Sequence, residues 1–234
     1  MNPPVTAIVL SGGEGRRLRP ITQYIPKMMV KVGDKMMLEW VIEWLRKNNV
    51  ANLVLGVAYL KEKIIDHFGD GARFGVNIKY SVHSVEGGTA EGFRLAITRH
   101  VPDETFFALN GDQITDLRLA DLYDVHARSG ALATIAVVHP QLPFGVVSHD
   151  EGDFCNGFLE KPIMKDVLIS SGIYVFQRSI LNYLPEQGDV ERTTFPSLAK
   201  SRSVMLYRHD GLFLTVNSPR ELEEAEQELK TNRR

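Results

Sequence analysis

The sequence is poor in cysteine, in long apolar runs and in net charge. A single cysteine, Cys155, cannot form an internal disulfide, which fits a reducing compartment. No run approaches the roughly 20 apolar residues that a membrane-spanning helix needs. With 27 basic and 29 acidic residues, the formal net charge of −2 offers no broad cationic surface for nucleic acid or an anionic membrane. We therefore expect a cytoplasmic protein without nucleic-acid or membrane partners, in which Cys155 is a small core residue.

The sequence also lacks several common catalytic patterns. Its seven histidines show neither the HxH nor the HExxH spacing of metal sites, so we assign none of them to metal binding or catalysis. There is no internal repeat, low-complexity run or linker that would divide the 234 residues. A chain of this length can bury a full core by itself. The simplest interpretation is one domain over residues 1–234.

Short apolar runs alternate with helical periodicity along the chain. The runs predict strands at 5–10, 52–59, 76–81, 105–109, 131–138, 145–148, 154–160, 168–176, 204–208 and 212–216. The periodic segments predict one helix that begins at residue 36. They also predict helices at 61–68, 89–99, 119–128, 179–184, 194–200 and 219–229. The last helix starts with Ser218 as N-cap and Glu221 in capping-box position. This order predicts an α/β, Rossmann-like fold with a mainly parallel sheet flanked by helices.

A long polar segment follows the first strand and runs from Ser11 to Lys35. It opens with the letters SGGEGRRLRPIT, and long ordered loops of this kind tend to be functional. Glycines allow backbone N–H groups to approach a phosphate, and the neighbouring arginines and Lys27 add positive charge. A P-loop is excluded, because arginine rather than lysine follows Gly15. A dinucleotide fingerprint would need glycine where Leu18 stands. A flexible surface loop with incidental arginines is the structural alternative.

Several residues of this segment recur at fixed spacing: Gly12, Gly13, Gly15, Arg17, Leu18, Pro20, Thr22, Pro26 and Lys27. The spacing resembles the signature of the sugar-1-phosphate nucleotidyltransferases, and the resemblance extends over essentially the whole chain. It implies the nucleotide-diphospho-sugar transferase type of fold, with an N-terminal nucleotide-binding half and a C-terminal sugar-phosphate-binding half. It also implies that Arg17 and Lys27 contact phosphates at the reacting centre. The implied nucleotide-binding residues are Leu10, Gly12, Gly13, Gly15, Arg16, Gly88 and Thr89.

A carboxylate follows the fourth predicted strand. Gly111 permits a sharp turn there, and Asp112 then points into the crevice at the carboxyl ends of the strands, where it suits Mg²⁺. The family resemblance likewise makes Asp112 a metal ligand. Many family members place a second aspartate in a D-V/I-G-T-P run near the C-terminus, but here Asn217 stands in a T-V-N-S-P run. We predict that the Asn217 carbonyl oxygen is the second ligand; a plain helix-capping turn is the alternative.

The resemblance also assigns the two substrate sides. Gly88 and Thr89 belong to a step at which the family reads the base. Gly87 stands roughly where some relatives have a base-reading glutamine, which favours a guanylyl donor over a pyrimidine one. On the sugar side, Lys161 is expected to meet the sugar phosphate and to count with Arg17 and Lys27 as catalytic. The full set implied for the sugar phosphate is Asn110, Gly145, Glu160, Lys161 and Gly172.

These features together predict an enzyme that transfers a nucleoside monophosphate from a triphosphate to a sugar 1-phosphate, with Mg²⁺ as cofactor. GTP with a mannose- or heptose-type 1-phosphate is the favoured pair. UTP or dTTP with a glucose-type 1-phosphate is the first alternative. A non-catalytic nucleotide-sugar sensor is the second, because the usual C-terminal aspartate is missing. A homo-oligomer is possible under each of these hypotheses.

Overall fold

The computed structural model describes residues 3–232. Its strands are β1 Thr6–Leu10, β2 Lys31–Val32, β3 Lys35–Met36, β4 Asn52–Val57, β5 Asn77–Val82, β6 Thr105–Asn110, β7 Gln113–Thr115, β8 Ala133–Val138, β9 Val146–His149, β10 Cys155–Leu159, β11 Ile169–Gln177, β12 Val204–Arg208 and β13 Phe213–Thr215. Its α-helices are α1 Met37–Lys47, α2 Lys61–Phe68, α3 Gly88–His100, α4 Leu119–Ser129, α5 Thr194–Lys200 and α6 Pro219–Asn232. Short 3-10 turns lie at Arg16–Leu18, Ile21–Gln23, Lys27–Met29, Ala72–Phe74 and Arg178–Tyr183.

Seven of these strands form the main sheet, in the order β12-β8-β11-β6-β1-β4-β5. The pairs β12–β8, β6–β1, β1–β4 and β4–β5 are parallel, so the predicted mainly parallel sheet is confirmed. Strand β11 runs antiparallel to both of its neighbours, β6 and β8. The sequence pattern did not reveal this reversal, because a buried apolar strand looks the same in either direction. The order places the carboxyl ends of β1 and β6 side by side.

Helices cover both faces of the sheet, as predicted. One buried cluster joins α1, α2, α4 and α6 to one face, and a second joins α3 and α5 to the other. The apolar stripe of α1 packs into the first cluster, with Met37, Val41 and Leu45 fully buried. Burial of such side chains contributes about 1.5–3 kcal/mol each. Among the six described helices, none has both the length and the hydropathy that crossing a bilayer requires.

Two sequence predictions differ from the structure. Cys155 is exposed at the start of β10, so its expected place in the core is wrong. It lies on a two-stranded β9–β10 hairpin outside the main sheet, where no core is available to cover it. The segment after β1 is also more ordered than a loop, since it contains three 3-10 turns and the small β2–β3 pair. Such short elements lack a periodicity that sequence reasoning can detect.

A buried polar network lies between α4 and the sheet. His126 is 2% exposed; its Nδ1 lies 2.8 Å from Thr134 Oγ1, and its Nε2 lies 3.1 Å from the Gln177 side-chain nitrogen. The amide nitrogen can only donate, so His126 Nε2 accepts and the ring is neutral. Burial lowers the pKa of His126 from 6.5 to about 4. Its Nδ1 then carries the proton and donates to Thr134 Oγ1, so protonation at Nε2 would place a charge in the core and oppose the Gln177 donor.

This pKa gives a pH-dependent stability. The unfolded His126 takes up its proton near its ordinary pKa of about 6.5, whereas the folded residue waits until about pH 4. The contribution of His126 to the free energy of unfolding is thus fully present above about pH 6.5. It is lost as the pH falls toward 4, and the loss amounts to at most about 3 kcal/mol. Urea unfolding at several pH values should show this loss in the wild type and a shallower dependence in His126→Asn. The same substitution at the exposed His149 serves as control and should leave the pH dependence of the unfolding free energy unchanged. Equal slopes of that free energy against pH for wild type and His126→Asn would contradict the prediction.

Candidate active site

Three predicted site residues meet at one point. The Lys27 ammonium donates to Asp112 Oδ2 at 2.5 Å and to Asn217 Oδ1 at 2.7 Å. The Lys27 side chain is only 12% exposed, so this contact is partly shielded from water. Lys27, Asp112 and Asn217 come from widely separated parts of the sequence. The fold therefore assembles this trio, which we call the charged trio below, from three different chain segments.

Strand pairing explains how the charged trio forms. Gly111 donates its N–H to the Leu10 carbonyl at 2.9 Å, which joins the ends of β1 and β6. A Cβ at Gly111 would lie 3.0 Å from that carbonyl oxygen and 2.7 Å from Met28 Cε, so only glycine fits this turn comfortably. Strand β7 then pairs antiparallel with β13 and aligns Gln113 with Thr215. This pairing brings the residues just before Gln113 and just after Thr215 to the same end.

Glu221 fixes the orientation of the Asn217 side chain. Glu221 Oε2 accepts from the Asn217 backbone N–H at 3.0 Å, from Asn217 Nδ2 at 3.3 Å and from Thr215 Oγ1 at 2.8 Å. Because the amide nitrogen is held by Glu221, the Asn217 oxygen faces Lys27. The predicted N-cap is also confirmed, since the Glu221 backbone N–H donates to Ser218 Oγ at 3.2 Å; the Glu221 carboxylate accepts from the Ser218 hydroxyl and from the Asn217 N–H. One carboxylate thus caps α6 and orients a residue of the trio.

A cleft of about 220 Å³ opens beside the charged trio at the carboxyl ends of β1, β5 and β6. This is the edge at which open α/β sheets bind ligands. Eight of the predicted site residues line the cleft: Leu10, Gly12, Gly13, Lys27, Gly88, Thr89, Asn110 and Asp112. The remaining walls are Ser11, Met28, His83, Val85, Gly111 and Asp189. Predicted nucleotide residues and one predicted metal ligand, Asp112, therefore share one cavity.

The glycine loop forms the floor of the cleft. A Cβ on Gly12 would lie 2.7 Å from His83 Nε2 and 2.9 Å from the Ala58 Cβ, so this position has no room for a side chain. Gly15 adopts a left-handed conformation with φ +61°, and its carbonyl accepts from Thr22 Oγ1 at 2.7 Å. Thr22 and Gly15 thereby set the turn that leads to Lys27. The glycines are required here by close packing as well as by backbone freedom.

The arginines of the loop lie outside the cleft. Arg16 forms an ion pair with Glu14 and is exposed. Arg17 is exposed on the 3-10 turn Arg16–Leu18 and does not line the cleft. Their charges are thus close in sequence to the floor of the cleft but are directed toward solvent in this state. Of the predicted cluster of cations, Lys27 therefore lines the cleft, whereas Arg16 and Arg17 do not.

The predicted sugar-side residues fall into two groups. Gly172 has φ +75° and lies close to the Asn110 side chain. A Cβ on Gly172 would stand 2.9 Å from Asn110 Nδ2. Gly145 and Glu160 face each other across the β9–β10 hairpin. A Cβ added at Gly145 would lie 3.0 Å from Glu160 Oε2. Lys161 is exposed and lines a separate, wider cavity of about 1140 Å³. Thr215, Ser218 and Glu221, which surround Asn217, line the same cavity.

Sequence reasoning missed two residues of the cleft, His83 and Asp189. His83 follows β5 at the carboxyl edge of the sheet, which is the signal that was applied to Asp112 but not to the histidines. Asp189 lies between Leu184 and α5, and no local pattern marks it. Gly87, by contrast, is buried, and the ends of the Glu91 and Ser84 side chains occupy the space in which a Cβ would stand. The Ser84 hydroxyl donates to Glu91 and lowers the pKa of the Glu91 carboxyl.

Two side chains of the charged trio, Asp112 and Asn217, carry oxygens of the kind that Mg²⁺ prefers. Asp112 Oδ2 and Asn217 Oδ1 both lie within 2.7 Å of one point, the Lys27 nitrogen, and both are hard oxygen donors. Within the described residues, no group of three or more His, Cys, Asp or Glu side chains could hold a metal ion. Mg²⁺ commonly uses only one or two protein carboxylates or amides and completes its shell with substrate phosphates and water. The two oxygens therefore fit Mg²⁺ delivered with a phosphate ligand.

The fold and the cleft together define an α/β protein with its candidate ligand site at the carboxyl edge of the sheet. A family model described as Nucleotidyl transferase matches residues 6–209, and the chain belongs to that family. The chain is 36% identical over 215 residues to a UTP–glucose-1-phosphate uridylyltransferase of Synechocystis sp., covering 83% of this chain and 55% of that protein. It is 34% identical over 221 residues to a mannose-1-phosphate guanyltransferase of Yarrowia lipolytica, covering 92% and 61%.

The structural comparison agrees on the fold. HddC from Yersinia pseudotuberculosis superposes with a TM-score of 0.74 at 20% identity, covering 96% of this chain and 99% of that chain. The predicted family and the nucleotide-diphospho-sugar transferase type of fold are therefore confirmed. The chain spans 55–61% of the length of the two curated relatives named above.

Proposed function

We propose that this chain transfers a nucleoside monophosphate from a nucleoside triphosphate to a sugar 1-phosphate, with release of pyrophosphate. The observation that supports this most strongly is the charged trio beside a glycine-floored cleft. A cation, a carboxylate and an amide oxygen at one point suit a polyphosphate and its counter-ion. The names of the curated relatives favour the same reaction class.

The reaction would be one in-line displacement. An oxygen of the sugar 1-phosphate attacks the α-phosphorus, a new O–P bond forms, and the bond to the β-phosphate oxygen breaks. Pyrophosphate leaves with the bonding electrons. The nucleophile is already an anion, so no general base is needed. The protein has instead to align two polyanions and neutralise the charge that develops between them.

The chain's own residues divide this work. The backbone N–H groups of Gly12 and Gly13 hold triphosphate oxygens, and the Lys27 ammonium stabilises the α-phosphoryl group. Arg17, now in solvent, is assigned to the departing pyrophosphate, and Lys161 to the attacking phosphate. Asp112 and Asn217 would hold Mg²⁺, which supplies charge neutralisation to the phosphate oxygens when bound. Leu10, Gly15, Arg16, Gly88 and Thr89 complete the nucleotide side, and Asn110, Gly145, Glu160 and Gly172 the sugar side.

Within this class, we assign GTP and a mannose- or heptose-type 1-phosphate as the substrates. The relatives named above include both a guanyltransferase and a uridylyltransferase, so UTP or dTTP with glucose 1-phosphate is the competing pair. The division into a nucleotide half and a sugar-phosphate half of residues 1–234 belongs to this proposal. So does a cytoplasmic location, which rests on the lone thiol.

A substrate panel tests the proposed function. Pyrophosphate release would be measured with Mg²⁺ over GTP, UTP, dTTP, ATP and CTP, each with mannose 1-phosphate, a heptose 1-phosphate and glucose 1-phosphate. Steady turnover with at least one pair is the expected result and would exclude a sensor without catalytic activity. Tight nucleotide-sugar binding with no turnover for any pair would overturn the proposal in favour of the sensor.

The Asn217–Glu221 contact gives a further prediction. Glu221→Ala should raise the Mg²⁺ concentration needed for half-maximal pyrophosphate release by roughly 10- to 100-fold, as expected for loss of a residue that orients a metal ligand. Glu221→Gln keeps one acceptor oxygen and should restore most of the affinity. Glu223→Ala changes an exposed carboxylate of the same helix and serves as control. An unchanged Mg²⁺ dependence in Glu221→Ala would show that Asn217 is not a ligand.

A further inference from the structure

If the proposed function is correct, the part of the cleft that does not hold the phosphates must hold the nucleotide base. Lys27 and Asp112 mark the phosphate end, next to Gly13. The cleft is also lined by His83, Val85, Gly88, Thr89 and Asp189, which leaves these residues to face the rest of the nucleotide. Among these five residues, Asp189 has the one carboxylate. The chemistry that these five residues offer to a base is therefore set largely by one negatively charged acceptor, the Asp189 carboxylate.

Asp189 is carried on a segment that is tied to the Gly88–Thr89 step. Gly188 donates its N–H to the Gly87 carbonyl at 2.9 Å, and Ala90 donates to the Gly188 carbonyl at 2.8 Å. The Val190 N–H donates to Thr89 Oγ1 at 2.9 Å. These bonds hold Asp189 Oδ1 close to Gly88, 2.8 Å from the place where a Cβ would stand. The carboxylate position is thus set by backbone hydrogen bonds on both of its sides.

The Asp189 carboxylate keeps acceptor capacity for a ligand. In the described part of the chain, its one recorded ion pair is with Arg192, at 3.9 Å from Asp189 Oδ2 to the Arg192 Nε. That distance is too long for a hydrogen bond. The side chain is about half exposed, at 48%, so a ligand can reach it. An ionised carboxylate only accepts hydrogen bonds, and it therefore selects a partner with adjacent donors.

We infer that Asp189 reads the base and selects guanine. Guanine presents its ring N1–H and its 2-amino group side by side, so both can donate to one carboxylate. Uracil and thymine present one N–H between two carbonyl oxygens, which a carboxylate repels. Adenine and cytosine present one amino group beside a ring-nitrogen acceptor. Among the five common bases, guanine alone offers two adjacent donors to both oxygens of Asp189.

The test compares GTP, inosine triphosphate and UTP on wild type, Asp189→Asn and Glu186→Gln. Inosine triphosphate differs from GTP by the missing 2-amino group. The wild type should bind GTP more tightly than inosine triphosphate by roughly 10-fold, as expected for a hydrogen bond to a charged group. Asp189→Asn should lose roughly 10- to 100-fold in GTP affinity and should no longer discriminate between the two purines. UTP binding should hold or improve, because an amide can pair with one N–H and one carbonyl.

Calorimetry measures these affinities directly, and the panel assay measures turnover beside them. Glu186 is exposed on the same segment and does not line the cleft, so Glu186→Gln should behave as wild type. Equal weakening of GTP and UTP in Asp189→Asn would assign the carboxylate to the ribose hydroxyls and overturn the inference. So would an unchanged ratio of GTP to inosine triphosphate in a variant that keeps its melting temperature. Guanine-selective binding without turnover would instead reject the proposed function and leave the inference standing.

Discussion

Asp112→Asn should lower kcat/KM for pyrophosphate release by about 100- to 1000-fold, the usual effect of removing one group that stabilises transition-state charge. The substitution keeps the size of the side chain but removes the carboxylate that faces Lys27 at 2.5 Å. Its Oδ2 is also the charged half of the proposed Mg²⁺ site. The turn itself depends on Gly111, so the fold should be retained. Steady-state kinetics over a Mg²⁺ series, with circular dichroism of the same samples, measures both effects.

Asp116 provides the matched control for this experiment. It lies four residues further on, is exposed, and pairs with His209 at 3.1 Å rather than with the charged trio. Asp116→Asn should therefore retain turnover close to that of the wild type. If Asp112→Asn also kept wild-type turnover, the placement of the reaction at the carboxyl end of β6 would be wrong.

Lys27→Met should reduce kcat/KM by a similar factor, about 100- to 1000-fold. Methionine matches the length of the lysine stem and fits the apolar contacts, but it supplies no charge to the α-phosphoryl group. Because Lys27 is the one lysine or arginine among the described residues that line the cleft, its loss should appear mainly in kcat. Rapid-quench measurement of a single turnover isolates this step from product release.

Two companion variants locate the charge effect. Lys31→Met removes an exposed cation of β2 and should be close to wild type. Arg17→Met tests whether the solvent-facing arginine turns toward the triphosphate during the reaction, and a large loss in kcat is expected. A Lys27→Met variant with an unchanged single-turnover rate would remove Lys27 from the reacting centre.

The sequence predicted the elements that carry strong periodicity or a fixed motif. Helices α2 and α5 and strand β12 begin and end where the pattern indicates. The three residues of the charged trio were also singled out, Asp112 by its place after a strand, and Lys27 and Asn217 by the family resemblance. Their actual contact could not be predicted, since it depends on the β7–β13 pairing of two three-residue strands.

Residues without a local signal were missed for a related reason. Asp189 reaches the cleft through hydrogen bonds to Gly87 and Thr89, which are about a hundred residues away in sequence. The comparison of Gly87 with a base-reading glutamine rests on counting positions in a loop and stays a prediction. Glu91 and Ser84 lie against Gly87, so a side chain at that position would have to displace their flexible ends.

The β7–β13 pair has a consequence for synthesis of the protein. A growing chain that has emerged as far as Thr115 already contains Asp112 and Lys27, but the opposing strand and Asn217 are still to be made. A nascent or truncated chain that stops before Phe213 would therefore hold the glycine floor and one carboxylate without the amide that faces it. The charged trio would therefore be assembled late, when β13 docks against β7 and brings Asn217 to Lys27.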